Sequence, residues 1–336
     1  METNGEMGTT VSLLAPEAET LLRVRRVHRE TQEIATYELC AEDGSELPPF
    51  TAGAHIDLHL PNGLVRSYSL CGDEAERDRY IIGVARSPDS RGGSTWIHDN
   101  LRTGDVVSIS HPRNNFPLVD ADRTILIAGG IGITPLLSMI RRLTAIGNDW
   151  TLHYAVRSHA HAAFSSDLRH LAGDRPERLQ LHCDDESGSV LDLRGVVQRW
   201  TDTGADGVHM YCCGPGPMLT AFEAATAALP SNQRHIEYFT NATAAAKAGG
   251  FEVELAASGK TLMVPPGASI LETLRNAGID CMSSCTEGIC GACETRVLGG
   301  EPDHRDVVLT DDERISNEVM MICCSGSKSR KLILDL

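Results

Sequence analysis

The chain changes its hydrophobic rhythm near residue 123 and again near residue 250. Between residues 20 and 117, short stretches alternate polar and apolar side chains. His55-Ile56-Asp57-Leu58-His59-Leu60 has the period of two of a half-buried strand, and Pro61-Asn62-Gly63 turns the chain after it. Residues 66–71, 80–86 and 105–110 have the same texture, so several short strands are expected to form an antiparallel barrel or sandwich. From residue 123 the pattern is different. Thr124-Ile125-Leu126-Ile127-Ala128 is an apolar run typical of a strand buried on both faces. Helical periodicity follows over 136–145, then a strand at 152–156, a helix near 164–171, strands at 179–183 and 208–212, and a helix over 218–228. Strands alternating with helices predict a parallel α/β sheet.

Residues 241–250, NATAAAKAGG, are small and featureless and read as a linker, with a short alanine helix as the other option. Beyond them, 251–256 and 261–264 read as strands and 270–277 as a helix, followed by a cysteine-rich stretch. The expected organisation is a multidomain chain: a β-barrel over 20–120, an α/β domain over 121–240, the linker, and a third domain over 251–336. There is no internal repeat.

Composition narrows the function. The 336 residues are 41% hydrophobic and 23% charged, the balance of a globular protein. A formal net charge of −16 argues against nucleic acid as a partner, because phosphate backbones are bound by clustered Lys and Arg. The N-terminal stretch METNGEMGTTVSLLAPEAE has neither the basic nor the apolar region of a signal peptide, and no window has the ~18 apolar residues of a membrane span. A cytoplasmic protein without a membrane anchor is therefore expected, and its eleven cysteines should be reduced.

Three of those cysteines fall within nine residues, CTEGICGAC. The spacing is Cys285-x4-Cys290-x2-Cys293, and Cys323 follows after 29 residues. C-x4-C-x2-C…C is the plant-type [2Fe-2S] arrangement. Four thiolates must converge on two irons, and Gly288, Gly291 and Ala292 let the backbone wrap the cluster with N–H groups aimed at sulfur. A zinc site usually carries two C-x2-C pairs, and a disulfide conflicts with the compartment. The residues alone leave Cys281 and Cys324 as competing ligands. Cys40, Cys71, Cys183 and Cys212 read as small core residues.

Two further stretches carry candidate chemistry. Gly129-Gly130-Ile131-Gly132-Ile133-Thr134-Pro135 follows a buried strand and opens a helix. Its glycines allow close approach to a pyrophosphate, Thr134 can cap the helix, and Pro135 suits its first turn. In the barrel, Arg66-Ser67-Tyr68-Ser69 combines a cation, hydroxyls and an aromatic ring, and Arg91-Gly92-Gly93-Ser94 is a second turn suited to an anion. Each stretch by itself also reads as ordinary structure.

Taken in order, R-S-Y-S, R-G-G-S, G-G-I-G-I-T-P, C-C-G-P and the C-terminal cysteine motif resemble the phthalate dioxygenase reductase family of the ferredoxin–NADP reductase superfamily. The resemblance covers nearly the whole chain after residue 20. It implies an antiparallel β-barrel binding FMN, a parallel-sheet domain binding NADH, and an α+β, β-grasp ferredoxin domain carrying the [2Fe-2S] cluster. By motif, Arg66, Ser67, Tyr68 and Ser69 would bind FMN, with Gly92, Gly93 and Ser94 at its phosphate. Gly130, Gly132, Thr134 and Pro135 would form the nucleotide loop, joined by Gly214 and Pro215. Cys213 would lie by the nicotinamide, and Glu237 and Phe239 of H-I-E-Y-F would border the flavin ring. The family spacing selects Cys323 over Cys324 as the fourth ligand, and excludes Cys281.

The implied activity is an NAD(P)H-dependent iron–sulfur flavoprotein oxidoreductase. It would be the reductase of a two-component system in aromatic catabolism, whose terminal partner is a Rieske-type non-haem iron oxygenase. A cytochrome P450 or another monooxygenase is the alternative acceptor. Arg157-Ser158, without an adjacent acid, leaves NADH against NADPH open, and the family leans to NADH. Residues 251–336 hold 8 basic and 14 acidic side chains, a net −6, which suggests docking on a basic patch of the partner.

Overall fold

The computed structural model describes residues 20–87, 92–202, 207–241, 243 and 245–336. The polar N-terminal stretch, Arg91 of the R-G-G-S turn, and Ala242 and Ala244 of the small-residue segment lie outside them.

Six antiparallel strands form the first domain: β1 (Thr20–Arg29), β2 (Ile34–Cys40), β3 (His55–His59), β4 (Val65–Ser69), β5 (Tyr80–Ala85) and β6 (Val106–Ile109), with helix α1 (Gly93–Asn100) between the last two. Their order is β4-β3-β6-β1-β2-β5. The sheet closes on itself because Leu70 bridges Ile82 and the Cys71 N–H donates to the Ile81 carbonyl at 2.9 Å. Alternation sends Leu22, Val24, Tyr37, Leu39, Ile56, Leu58, Ile82 and Val84 inward, each almost wholly removed from water. Such burial stabilises by about 1.5–3 kcal/mol per large apolar side chain.

The second domain runs β7 (Arg123–Gly129), α2 (Ile133–Ile146), β8 (Asp149–Val156), α3 (Ser165–Ala172), β9 (Leu179–Cys183), α4 (Asp184–Ser187), α5 (Leu193–Thr201), β10 (Val208–Cys213), α6 (Gly216–Thr226) and β11 (Arg234–Glu237). All five strands are parallel, in the order β11-β10-β7-β8-β9. The chain builds outward from β7 through β8 and β9, then returns to place β10 on the other side. The strand order therefore reverses between β7 and β10, and ligands of open α/β sheets bind outside the carboxyl ends at such a point.

The third domain comprises β12 (Phe251–Leu255), β13 (Lys260–Val264), α7 (Ile270–Asn276), β14 (Glu294–Gly299), β15 (Pro302–Asp303), α8 (Asp311–Ser316), β16 (Val319–Met321), β17 (Gly326–Ser327) and β18 (Lys331–Leu334). A mixed sheet, β13-β12-β18-β14-β16, packs on α7. Both helices start at capping boxes, Ser269 with Glu272 and Thr310 with Glu313, which satisfy N–H groups the first turn leaves free.

Two expectations need correction. No helix forms among the described residues of 241–250. The segment is tied to the third domain instead: the Ala246 N–H donates to the Cys324 carbonyl at 2.8 Å, and the Asn241 amide donates to the carbonyls of Glu287 and Arg305 at 2.9 and 2.7 Å. Cys40 is half-exposed at the end of β2, not a core residue, whereas Cys71, Cys183 and Cys212 are buried. No helix among the described residues is long and apolar enough to cross a membrane.

Candidate redox centres

On β4, alternation divides the R-S-Y-S tetrad: Arg66 and Tyr68 point to one face of the strand, Ser67 and Ser69 to the other. Arg66 lies against the start of α1, where a Cβ on Gly93 would stand 2.7 Å from its side chain. No side chain caps that helix. The sequence-separated R-S-Y-S and R-G-G-S stretches thus meet, bringing a guanidinium to the N-terminus of a helix, a donor set suited to a phosphate. Tyr68 is half-buried beside Arg66, and burial pushes its phenol well above the ordinary value.

Behind the strand, Ser67 donates to Asp57 Oδ1 at 2.5 Å while the Arg113 guanidinium pairs with Oδ2. Burial opposes the Asp57 charge, but Arg113 and the Ser67 hydroxyl outweigh it and hold the carboxyl below its usual range. Ser67 therefore fixes the strand from behind, on the face opposite Arg66. His55 pairs in register with Ser69. Burial and the Arg113 cation lower its imidazole to about 4, so the ring is neutral at physiological pH. Its Nε2 is buried without a hydrogen-bond partner among the described residues, and Cys285 of the third domain is close enough to act on its charge. Sequence reading passed over His55 because it sits in a regular alternating strand; an inward-facing histidine beside the tetrad was the only signal.

At the carboxyl edge of the parallel sheet, Gly129 ends β7 and a 3-10 turn, Gly130–Gly132, leads into α2. A Cβ on Gly132 would lie 2.2 Å from the Cys213 carbonyl oxygen, and one on Gly129 would lie 2.6 Å from Pro215. Only glycine lets the loops after β7 and β10 approach this closely. Thr134 does not cap the helix as expected. It is the second helical residue, and its hydroxyl donates to the Ile131 carbonyl at 2.9 Å. Pro135 does occupy the first turn, where its missing N–H leaves no bond unmade. Gly83 of β5 lies under the Thr134 methyl, which would be 2.6 Å from a Cβ there, so the barrel wall abuts this loop.

Cys213 and Glu237 are register partners at the ends of β10 and β11, and the thiol lies close enough to favour the charged carboxylate. Burial raises the Glu237 carboxyl to about 8, despite the opposing effect of Cys213, and its Oε2 has no partner among the described residues. Burial, and then Glu237, push the Cys213 thiol up as well. Glu237 is thus half-buried with one carboxyl oxygen shut off from water, and its surroundings favour the neutral acid. Phe239 follows two residues later and is half-buried.

In the third domain the thiol of Cys285 touches those of Cys290 and Cys323, and Cys323 touches Cys293 and Cys324. Backbone N–H groups point at sulfur: Cys285 N–H to Cys290 Sγ at 3.4 Å and Glu287 N–H to Cys285 Sγ at 3.3 Å. Gly288 and Gly291 have φ of 73° and 74°, the left-handed conformation that wraps the loop. Cys324 also donates to the Met321 carbonyl at 3.8 Å, and Cys281 is half-buried. Convergent thiols, N–H···S contacts and left-handed glycines fit a plant-type cluster. The Asn115 amide, just past the barrel, donates to the Cys290 carbonyl at 3.0 Å.

Comparison with known proteins agrees with this geometry. Residues 253–327 match the 2Fe-2S iron-sulfur cluster binding domain, and residues 126–224 match the oxidoreductase NAD-binding domain. The chain is 48% identical to the phenoxybenzoate dioxygenase subunit beta of Ectopseudomonas oleovorans, over 97% of this chain and 100% of that one. It superposes on an intact type IV self-sufficient cytochrome P450 monooxygenase with a TM-score of 0.85 and 40% identity, covering 95% of this chain and 41% of the larger one. It superposes on phthalate dioxygenase reductase, described as a modular structure for electron transfer from pyridine nucleotides to [2Fe-2S], with a TM-score of 0.70 and 39% identity over 95% of this chain and 98% of that one. With the same three domains in the same order and 39% identity over 96% of this chain and 100% of the phthalate dioxygenase reductase of Burkholderia cepacia, this oxidoreductase belongs to the phthalate dioxygenase reductase family.

Proposed function

We propose that the chain is the reductase component of a two-component oxygenase, taking electrons from NADH and delivering them to a Rieske-type non-haem iron partner. When bound, FMN accepts two electrons together and releases them singly, and the [2Fe-2S] cluster carries one at a time. The chain's residues hold and orient these groups. Arg66 and the α1 terminus with Gly92, Gly93 and Ser94 anchor the FMN phosphate, and Tyr68 lines its ring, while Ser67 and Ser69 support the strand from its other face. The loop from Gly130 to Pro135 with Gly214 and Pro215 holds the dinucleotide, so that Cys213 and Glu237 flank the nicotinamide. Cys285, Cys290, Cys293 and Cys323 hold the cluster.

One observation carries this reading: the Asn115 bond to Cys290 seats the cluster loop on the barrel, while Gly83 of the barrel abuts the nucleotide loop. The barrel lies between the donor crevice and the cluster loop, where a relay needs its flavin.

Anaerobic addition of NADH to holoprotein should bleach both flavin and iron–sulfur bands; bleaching by dithionite alone would refute the relay. Reduction by NADPH under the same conditions tests the nucleotide preference. A second reading, a cytochrome P450 acceptor, draws support from the likeness to the self-sufficient P450. Turnover reconstituted with a Rieske oxygenase and with a P450 distinguishes the two. The acidic third domain predicts that turnover with the true partner falls as ionic strength rises.

A further inference from the structure

The carboxyl edge of the parallel sheet holds a second constellation that the relay does not use. β8 and β9 pair in register up to Val156 and Cys183. The chain leaving β8 makes a single 3-10 turn over His159–His161, and the chain leaving β9 turns at once into α4. Cys183 ends β9 and Glu186 stands within α4, so both come to His159. The imidazole nitrogen, thiol sulfur and carboxylate oxygen all lie within 4.8 Å of one another. His159 Nε2 and Glu186 Oε1 are 3.1 Å apart. Two ligands at ~2.0–2.1 Å from one tetrahedral ion stand about 3.3 Å apart, so this pair already has ligand spacing.

The donor set decides the kind of ion. Nitrogen, sulfur and oxygen together suit a borderline divalent metal, whereas magnesium and calcium take oxygen alone. Asp184 and Asp185 add negative charge on the same short helix. Cys183 is buried while His159 and Glu186 are exposed, so an ion held by the three would lie at the surface with its fourth position open to water.

We propose that His159, Cys183 and Glu186 bind Zn2+, and that the bound ion competes with the adenosine half of the pyridine nucleotide. The second clause rests on the nucleotide assignment above. The nicotinamide end belongs beside Cys213 and Glu237 on β10 and β11, and the pyrophosphate on the loop after β7. The remaining half then runs over the ends of β8 and β9, where Arg157 and Ser158 immediately precede His159.

Zinc-free holoprotein, with flavin and cluster in place, is titrated with Zn2+ by calorimetry. NADH oxidation with ferricyanide as acceptor is then followed with and without one equivalent of the ion. One Zn2+ per chain is expected, with affinity weakened about tenfold or more in Cys183→Ser and in Glu186→Gln. The KM for NADH should rise severalfold with Zn2+ in the parent protein and not in the variants, with kcat unchanged. Equal Zn2+ affinity in the parent and both variants overturns the site. Binding lost in the variants but without effect on KM overturns the competition. Failure of NADH to reduce the zinc-free protein refutes the nucleotide assignment instead, and the calorimetry, which needs no nucleotide, still decides the site.

Discussion

The side chain of Asn115 donates to the backbone carbonyl of Cys290 at 3.0 Å, a bond between residues 175 positions apart that holds the cluster loop against the barrel. Gly291 makes room for it, since a Cβ there would lie 3.0 Å from the Asn115 amide nitrogen. Removing one neutral hydrogen bond costs about 1 kcal/mol, or about fivefold in a docking equilibrium. Asn115→Ala should therefore lower NADH-dependent cytochrome c reduction by about that factor while leaving ferricyanide reduction, which needs only the flavin, near its parent rate. Equal losses in both assays would show that the bond does not serve cluster docking.

Glu237 titrates inside the working pH range. Its folded value, about 8, lies above the ordinary 4.5. An acid raised in this way binds its proton more tightly when folded, so its contribution to stability is full below about 4.5 and is lost as pH climbs to 8. In Glu237→Gln the side chain stays neutral, and stability relative to the parent should improve steadily across that window in denaturant titrations. If the neutral acid is the competent form, ferricyanide-linked NADH oxidation in the parent should fall above pH 8, and the glutamine variant should lack that limb.

Gly132→Ala places a methyl 2.2 Å from the Cys213 carbonyl oxygen. That contact is with backbone and cannot be relieved by a rotamer, so the loops after β7 and β10 must part. Overpacking of this kind costs about 1–3 kcal/mol. The expected result is a lower thermal midpoint and a raised KM for NADH, with the flavin retained at parent stoichiometry.

The Asp57 carboxylate, paired with Arg113 and Ser67, is held below its unfolded value near 3.8. Its stabilisation is present above pH ~3.8 and disappears as pH falls through the folded pKa. Asp57→Asn leaves the Arg113 cation without this carboxylate and should destabilise by about 3 kcal/mol at neutral pH. The gap between variant and parent should close in acid, which melting curves across pH will show.

Replacing the fourth cluster thiol tells two adjacent cysteines apart. Cys323→Ala should lose the iron–sulfur absorption and both irons, while Cys324→Ala should keep them. Iron analysis of the two purified variants checks the assignment, and retention of iron in Cys323→Ala would reject it.

Much of this protein was legible along the chain because its signals are local. Period-two alternation in 55–60 marked a barrel strand, the apolar run 124–128 marked a buried parallel strand, and C-x4-C-x2-C marked a cluster loop, since each depends on side chains close in sequence. Tertiary structure alone decided what distant segments do to one another. It set Arg66 on Gly93, turned Ser67 toward Asp57 and Arg113, and spent the Thr134 hydroxyl on a carbonyl within its own turn. It bound the small-residue segment 241–250 to the cluster domain, and shut one Glu237 carboxyl oxygen off from water beside Cys213. The physical reason is that burial, ionisation and hydrogen-bond partnership are properties of a surrounding volume, and that volume is filled by residues up to 175 positions away.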